Sequence, residues 1–171
     1  MSVFKNDRLI RVLNYLPVDR IPVWMMRQAG RTDPEYNQLR KNDGRALEEL
    51  FADPEIAIKI SLLPKRLGVD AIIMFQDILT PLTPMGASFH FAPGPILEKP
   101  VRTMAQVKAL RLPDPETELR TVAQILSGLK TELAGELPVL GFAGSPMSLD
   151  FFMIAGSSPN KKINEVLAFV E

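Results

Sequence analysis

Two arginines four residues apart, Arg27 and Arg31, close the stretch PVWMMRQAGR at residues 22–31. A guanidinium has a planar fork that matches a carboxylate or phosphate through paired N–H bonds, so this pair suits an anionic ligand. Asp77 is the second candidate, placed just after the apolar run AIIMF. An ionised carboxylate offers about four acceptor sites and can receive several N–H donors at once. The third candidate is GFAGSP, where Ala143, Gly144 and Ser145 follow another apolar run. Each feature also has a plain reading. The arginines could be surface residues paired with acids such as Glu35, and Asp77 could cap the next turn. GFAGSP lacks the spacing of a phosphate loop and could be a tight turn before a helix. Trp24 reads as core rather than as a stacking platform, and Met25, Met26 and Met153 read as core filler.

Composition removes several other chemistries. The chain has no cysteine, which excludes disulfides, thiolate zinc sites and a cysteine nucleophile, and it fits a reducing compartment. Its single histidine, His90, cannot build a histidine metal cluster or a serine-type triad within this chain. His90 lies in an alternating stretch and is expected to face solvent. Twenty basic and 20 acidic residues cancel, so bulk charge gives no reason to expect nucleic acid or a membrane surface as partner. The N-terminal segment is broken by Lys5, Asp7, Arg8 and Arg11 and is no signal peptide, and no window is apolar enough for a membrane span. The expected location is cytoplasmic.

The candidates need elements that carry them to one place. Asn6 or Asp7 is expected to cap a first helix that Pro17 ends. Residues 22–26 form a strand candidate. Asp33-Pro34 and Asp53-Pro54 both read as a helix cap followed by proline at the first helical position. Pro64 is expected to kink or divide the second of these helices, and Gly68 to stop it. VDAIIMF is a buried strand candidate and ASFHFAPGPILEKPVRT a surface hairpin. Residues 115–133 carry one apolar stripe and are expected to form one helix. PVLGFAG is the third strand candidate, residues 146–155 a helix, and NKKINEVLAFVE the start of another. Strands alternating with helices predict an α/β fold with a mainly parallel sheet in one structural unit. In such sheets ligands bind beyond the carboxyl ends of the strands, so three polar strand ends would share one rim.

With those residues in view, PVWMMRQAGR resembles the signature of the uroporphyrinogen decarboxylase family, close to P-x-W-x-M-R-Q-A-G-R. GVDAIIMFQDILTPLTPMG and GFAGSPMSLDFFMIAG are similar to two further blocks of that family, in the same order, and the likeness runs from end to end. The resemblance implies a (β/α)8 barrel, with this chain, residues 1–171, as the N-terminal part of a single barrel domain with about three parallel strands. It implies decarboxylation of the four acetate side chains of uroporphyrinogen III to coproporphyrinogen III, with no metal or organic cofactor, in a cytoplasmic homodimer. It implies that Asp77 accepts the central pyrrole N–H bonds. It implies that Arg27, Gln28, Ala29, Gly30, Arg31 and Arg40 meet substrate carboxylates, with Arg27 also delivering protons. Phe152 stands where the family has a substrate-contacting tyrosine, and Thr32 where the signature is usually followed by a tyrosine. A barrel needs about 250 residues, so the isolated chain is expected to have little or no activity. Two alternatives are a non-catalytic porphyrinogen-binding or partner-dependent fragment, and a corrinoid-linked methyltransferase of the same superfamily.

Overall fold

The computed structural model describes residues 4–24, 30–141, 143–158 and 163–170. Its contacts divide the chain into two units, residues 1–76 with 121–142, and residues 77–120 with 143–171.

In the first unit, helix α1 (Arg8–Leu13) starts at Asp7, which makes no side-chain cap; the Asn6 side-chain oxygen accepts the Arg8 amide at 3.4 Å while its NH2 donates to a distant carboxylate. Helix α2 (Pro34–Asp43) begins as the Asp-Pro pair requires, with the Asp33 carboxylate accepting from the amides of Glu35 and Tyr36. Helix α3 (Leu47–Ala52) leads into α4 (Pro54–Leu62), which Asp53 caps in the same way. Pro64 converts the end of α4 into a 3-10 turn, Leu63–Leu67, and Gly68 stops it in the left-handed conformation. Strand β1 (Ile72–Ile73) follows.

The second unit begins with α5 (Leu82–Met85) and the hairpin of β2 (Phe89–Phe91) and β3 (Pro95–Leu97), antiparallel with His90 opposite Ile96. His90 is exposed, as its place in the alternation predicts. Helices α6 (Met104–Ala109) and α7 (Pro115–Glu118) come next. The chain then returns to the first unit with α8 (Arg120–Leu133) and β4 (Val139–Leu140). It closes in the second unit with α9 (Pro146–Ala155) and α10 (Ile163–Val170).

β1 and β4 pair in parallel, Ile72 with Val139 and Ile73 with Leu140, which is the parallel arrangement expected. The stripe of α8 buries Ile125, Leu129 and Leu133 against Ala57, Ile72 and Met74. Gly128 permits this contact, because a Cβ there would lie 2.2 Å from the Ile58 side chain. The second unit has its own core of Leu79, Leu82, Leu97, Val101 and Met153.

Two expectations are corrected. Residues 115–133 are not one helix: the backbone breaks at Leu119, between α7 and α8. There Glu118 folds back to receive the Asp114 amide and the Arg111 guanidinium. Pro22–Trp24 form no strand; the Val23 carbonyl accepts the Asp70 amide at 2.9 Å instead. Met25 and Met26, the rest of that strand candidate, lie outside the described residues.

Candidate active site

The strand-end candidates fall in two groups. In the second unit, the segment that starts at Asp77 and the last four residues of GFAGSP, 143–146, are brought together. The parallel register of β1 and β4 sends both chains off the sheet in the same direction. Residues 77–79 and 143–145 then run close: a Cβ on Gly144 would sit 3.1 Å from the Ile78 carbonyl oxygen and 2.6 Å from the Leu149 side chain. Glycine is therefore required at 144 by close approach rather than by turn geometry. Ser145 caps α9, its hydroxyl accepting the Ser148 amide at 3.2 Å.

Asp77 is half-buried. Burial pushes its carboxyl above the usual carboxylate range, while the Leu79 and Ile78 amides pull it back down. Its carbonyl accepts from the Thr80 hydroxyl at 2.8 Å. The turn-capping reading of Asp77 thus holds locally. A carboxylate in such a place is also stabilised by any ligand that brings N–H donors to it. Phe152, on α9, packs against the cluster that contains Leu79.

The basic candidates belong to the first unit. Arg27, Gln28 and Ala29 lie outside the described residues. Gly30 accepts the Asp33 amide at 2.8 Å through its carbonyl. Arg31 is exposed, and its carbonyl receives the Asn37 side-chain amide at 2.7 Å. Glu35 is not its described partner, since it meets Arg66 at 2.9 Å. Arg40 is half-buried and donates to the Arg45 carbonyl at 3.2 Å. Trp24 is half-buried with its indole Nε1 shielded from solvent.

Sequence reasoning passed over Asp70, whose side chain is 1% exposed. Arg20 grips it with two N–H bonds of 2.6 and 2.7 Å, Asn6 donates at 2.9 Å and the Val23 amide at 2.6 Å. Burial alone would raise its pKa, but these donors overcome that and hold it at about 2. The available signal was an acid directly before an otherwise apolar strand. Ser61 was also passed over. Its buried hydroxyl donates to the Ala57 carbonyl and accepts the Phe75 amide, both at 2.7 Å.

The parallel pairing of β1 with β4, with helices between them along the chain, defines an α/β protein. Known proteins agree with this class. The profile of the family described as Uroporphyrinogen decarboxylase (URO-D) matches residues 4–170. The uroporphyrinogen decarboxylase of Alkalilimnicola ehrlichii is 50% identical over 161 residues, covering 92% of this chain and 44% of that protein. That of Trichlorobacter lovleyi is 48% identical over 152 residues, covering 88% and 44%. The chain belongs to the uroporphyrinogen decarboxylase family, and it spans about 44% of the length of these curated relatives. Among solved structures, a methyltransferase from Methanosarcina mazei superposes with a TM-score of 0.70 at 17% identity, covering 96% of this chain and 48% of that one. At that identity the likeness carries the fold and not the activity. Among the described residues, no helix is long and apolar enough to cross a membrane.

Proposed function

We propose that this chain carries the N-terminal part of a uroporphyrinogen decarboxylase, a carboxy-lyase that converts the four acetate side chains of uroporphyrinogen III to methyl groups and yields coproporphyrinogen III. The observation that carries this reading is identity near 50% to decarboxylases across about nine-tenths of the chain. We place the described part in a (β/α)8 barrel whose remaining strands lie in the portion of the relatives this chain does not cover.

The substrate has acid groups at its rim and four pyrrole N–H groups at its centre. Asp77 receives those N–H donors and, once ionised, stabilises the positive charge that develops when a pyrrole is protonated and draws electrons from the breaking C–C bond. The raised pKa of Asp77 supports that role, because a partly desolvated carboxylate has most to gain from donors that replace water. Arg27 and Arg31 grip substrate carboxylates, Gln28, Ala29 and Gly30 shape the loop between them, and Arg40 adds positive charge. Phe152 offers an apolar wall with no hydroxyl. No metal or organic cofactor takes part in this reading, the complete enzyme is a homodimer, and its location is cytoplasmic.

The test joins this chain to the remaining C-terminal portion of the Alkalilimnicola ehrlichii relative and measures coproporphyrinogen formed from uroporphyrinogen. Turnover is expected from the joined protein, and Asp77→Gly is expected to abolish it with the circular dichroism unchanged. Near-normal turnover in Asp77→Gly would sink the role of Asp77. A folded joined protein with no turnover would favour the porphyrinogen-binding reading.

A further inference from the structure

Asp33 and Asp70 are the buried carboxylates of the described residues, at 6% and 1% exposure. The Asp70 carboxylate touches the motif PVWMMRQAGR at its N-terminal described end, and Asp33 meets the C-terminal one through its backbone amide. At the N-terminal side, Val23 and Asp70 exchange two bonds: the Val23 amide donates to the Asp70 carboxylate at 2.6 Å, and the Asp70 amide donates to the Val23 carbonyl at 2.9 Å. At the C-terminal side, the Asp33 amide donates to the Gly30 carbonyl at 2.8 Å. Each acid is in turn held by a distant arginine through two bonds. Arg20 grips Asp70, and Arg66 grips Asp33 at 2.8 and 3.1 Å.

Burying a carboxylate is costly, and an ion pair rarely repays the cost in stability beyond what an apolar pair of equal volume would give. Asp33 also has a helix-starting duty, since it caps α2. Asp70 has no such duty. Arg20 supplies two donors, Asn6 one and the Val23 amide one, which fills the four or so acceptor sites of a carboxylate and leaves none for a ligand. Its bonds reach 47 to 64 residues along the chain, tying the N-terminal segment, Arg20 and the start of the motif to a residue two places before β1.

We infer that Asp70, clamped by Arg20, is a positioning residue that fixes the entry of the motif at Val23, next to Trp24, while Asp33, clamped by Arg66, holds its exit at Gly30 through the backbone. The two braces set where the described ends of the motif sit relative to β1. This rests on the decarboxylase reading only for the identity of the ligand; the brace itself rests on the bonds described above.

Trp24 is the single tryptophan of the chain and follows Val23 directly, so its fluorescence reports the braced end. The experiment compares the wild-type 171-residue chain with Asp70→Asn, Asp70→Glu, Arg20→Lys and the control Glu118→Gln. The control also removes an arginine-paired carboxylate, but one in the other unit. Acrylamide quenching of Trp24 is measured beside far-ultraviolet circular dichroism and affinity for uroporphyrin, an oxidised octacarboxylate probe. An amide in place of the carboxylate turns an NH2 toward donors, and lysine cannot reproduce the arginine fork. Both variants are therefore expected to raise the quenching constant about twofold. Uroporphyrin should dissociate roughly tenfold more readily, equivalent to about 1.4 kcal/mol. Glu118→Gln should lower the thermal midpoint and move neither readout. Unchanged quenching in folded Asp70→Asn and Arg20→Lys would overturn the brace. Should Asp70→Asn fail to fold, Asp70→Glu and Arg20→Lys, which keep the charge, decide. Altered quenching in the variants, with no turnover by the protein joined to the C-terminal portion of the relative, would uphold the brace and count against the decarboxylase reading.

Discussion

Asp77 and Asp70 stand seven residues apart in number and have opposite electrostatics. Asp77 has its pKa raised by burial, so whatever stability its protonated form contributes is present below the unfolded value near 3.8 and is lost as pH rises through the folded value. Asp77→Asn is therefore expected to melt higher than the wild type at pH 7, with the gap closing below about pH 4, as calorimetry across that range would show. A stabilising change at a proposed catalytic acid is the usual trade of stability for function. Asp70 runs the other way. Burial raises its pKa, yet Arg20, Asn6 and Val23 bring it down to about 2, so its stabilisation is present above 3.8 and disappears as pH falls toward 2. That shift corresponds to about 2 kcal/mol. Asp70→Asn should flatten the acid limb of a stability–pH curve and lower the plateau; an unchanged acid limb would contradict it. Of these two acids only Asp77 was legible beforehand, because it follows a strand. The partners of Asp70 come from 47 to 64 residues away, and no local pattern encodes a bond of that range.

Elements were legible where their signals are local. Asp33-Pro34, Asp53-Pro54 and Ser145-Pro146 each start a helix at the proline, since the cap and the fixed φ act within one turn. Asp114-Pro115 starts one too, but the helix lasts only to Glu118, whose carboxylate is drawn back to Arg111 and Asp114. The apolar stripe of 115–133 masked that break because periodicity carries no word of a side chain pulling backward. Helices α5 and α6 were missed for a related reason. Pro81 and Pro84 resemble loop punctuation yet occupy places in a four-residue helix that need no donor, and Thr103 caps α6 through Gln106. Ser145→Ala should destabilise the chain by about 1 kcal/mol through loss of the α9 cap. Gly144→Ala should cost more, since its Cβ meets the Ile78 carbonyl, which is backbone and cannot swing aside. Chemical denaturation of the two variants checks that order; Ser145→Ala as the more damaging change would refute it.

At the scale of the whole molecule, the α/β class and the parallel pairing of β1 with β4 were legible from the alternation of elements, while the division of contacts into two units was not. Alternation reports order along the chain and says nothing of which stretches return to which core; α8 leaves the second unit to pack on the first. Apolar side chains also stay exposed from the end of α1 to the motif, with Leu13 at 65%, Tyr15 at 98% and Ile21 at 82%. Exposed apolar groups close together in sequence favour association. Ile21→Lys with Tyr15→Ser is expected to reduce concentration-dependent association in sedimentation, without change in circular dichroism.

Ser61 joins helix to strand with a single oxygen. Its hydroxyl takes the Ala57 carbonyl at one side and the Phe75 amide at the other, so a helical turn stands in for the neighbouring strand that Phe75 would otherwise use. The amide of Phe75 is thereby a clock for the joint between α4 and β1. It can trade its hydrogen for deuterium only when that joint opens. In Ser61→Ala the clock has no escapement, and its rate would read the bare breathing of the sheet two residues before Asp77.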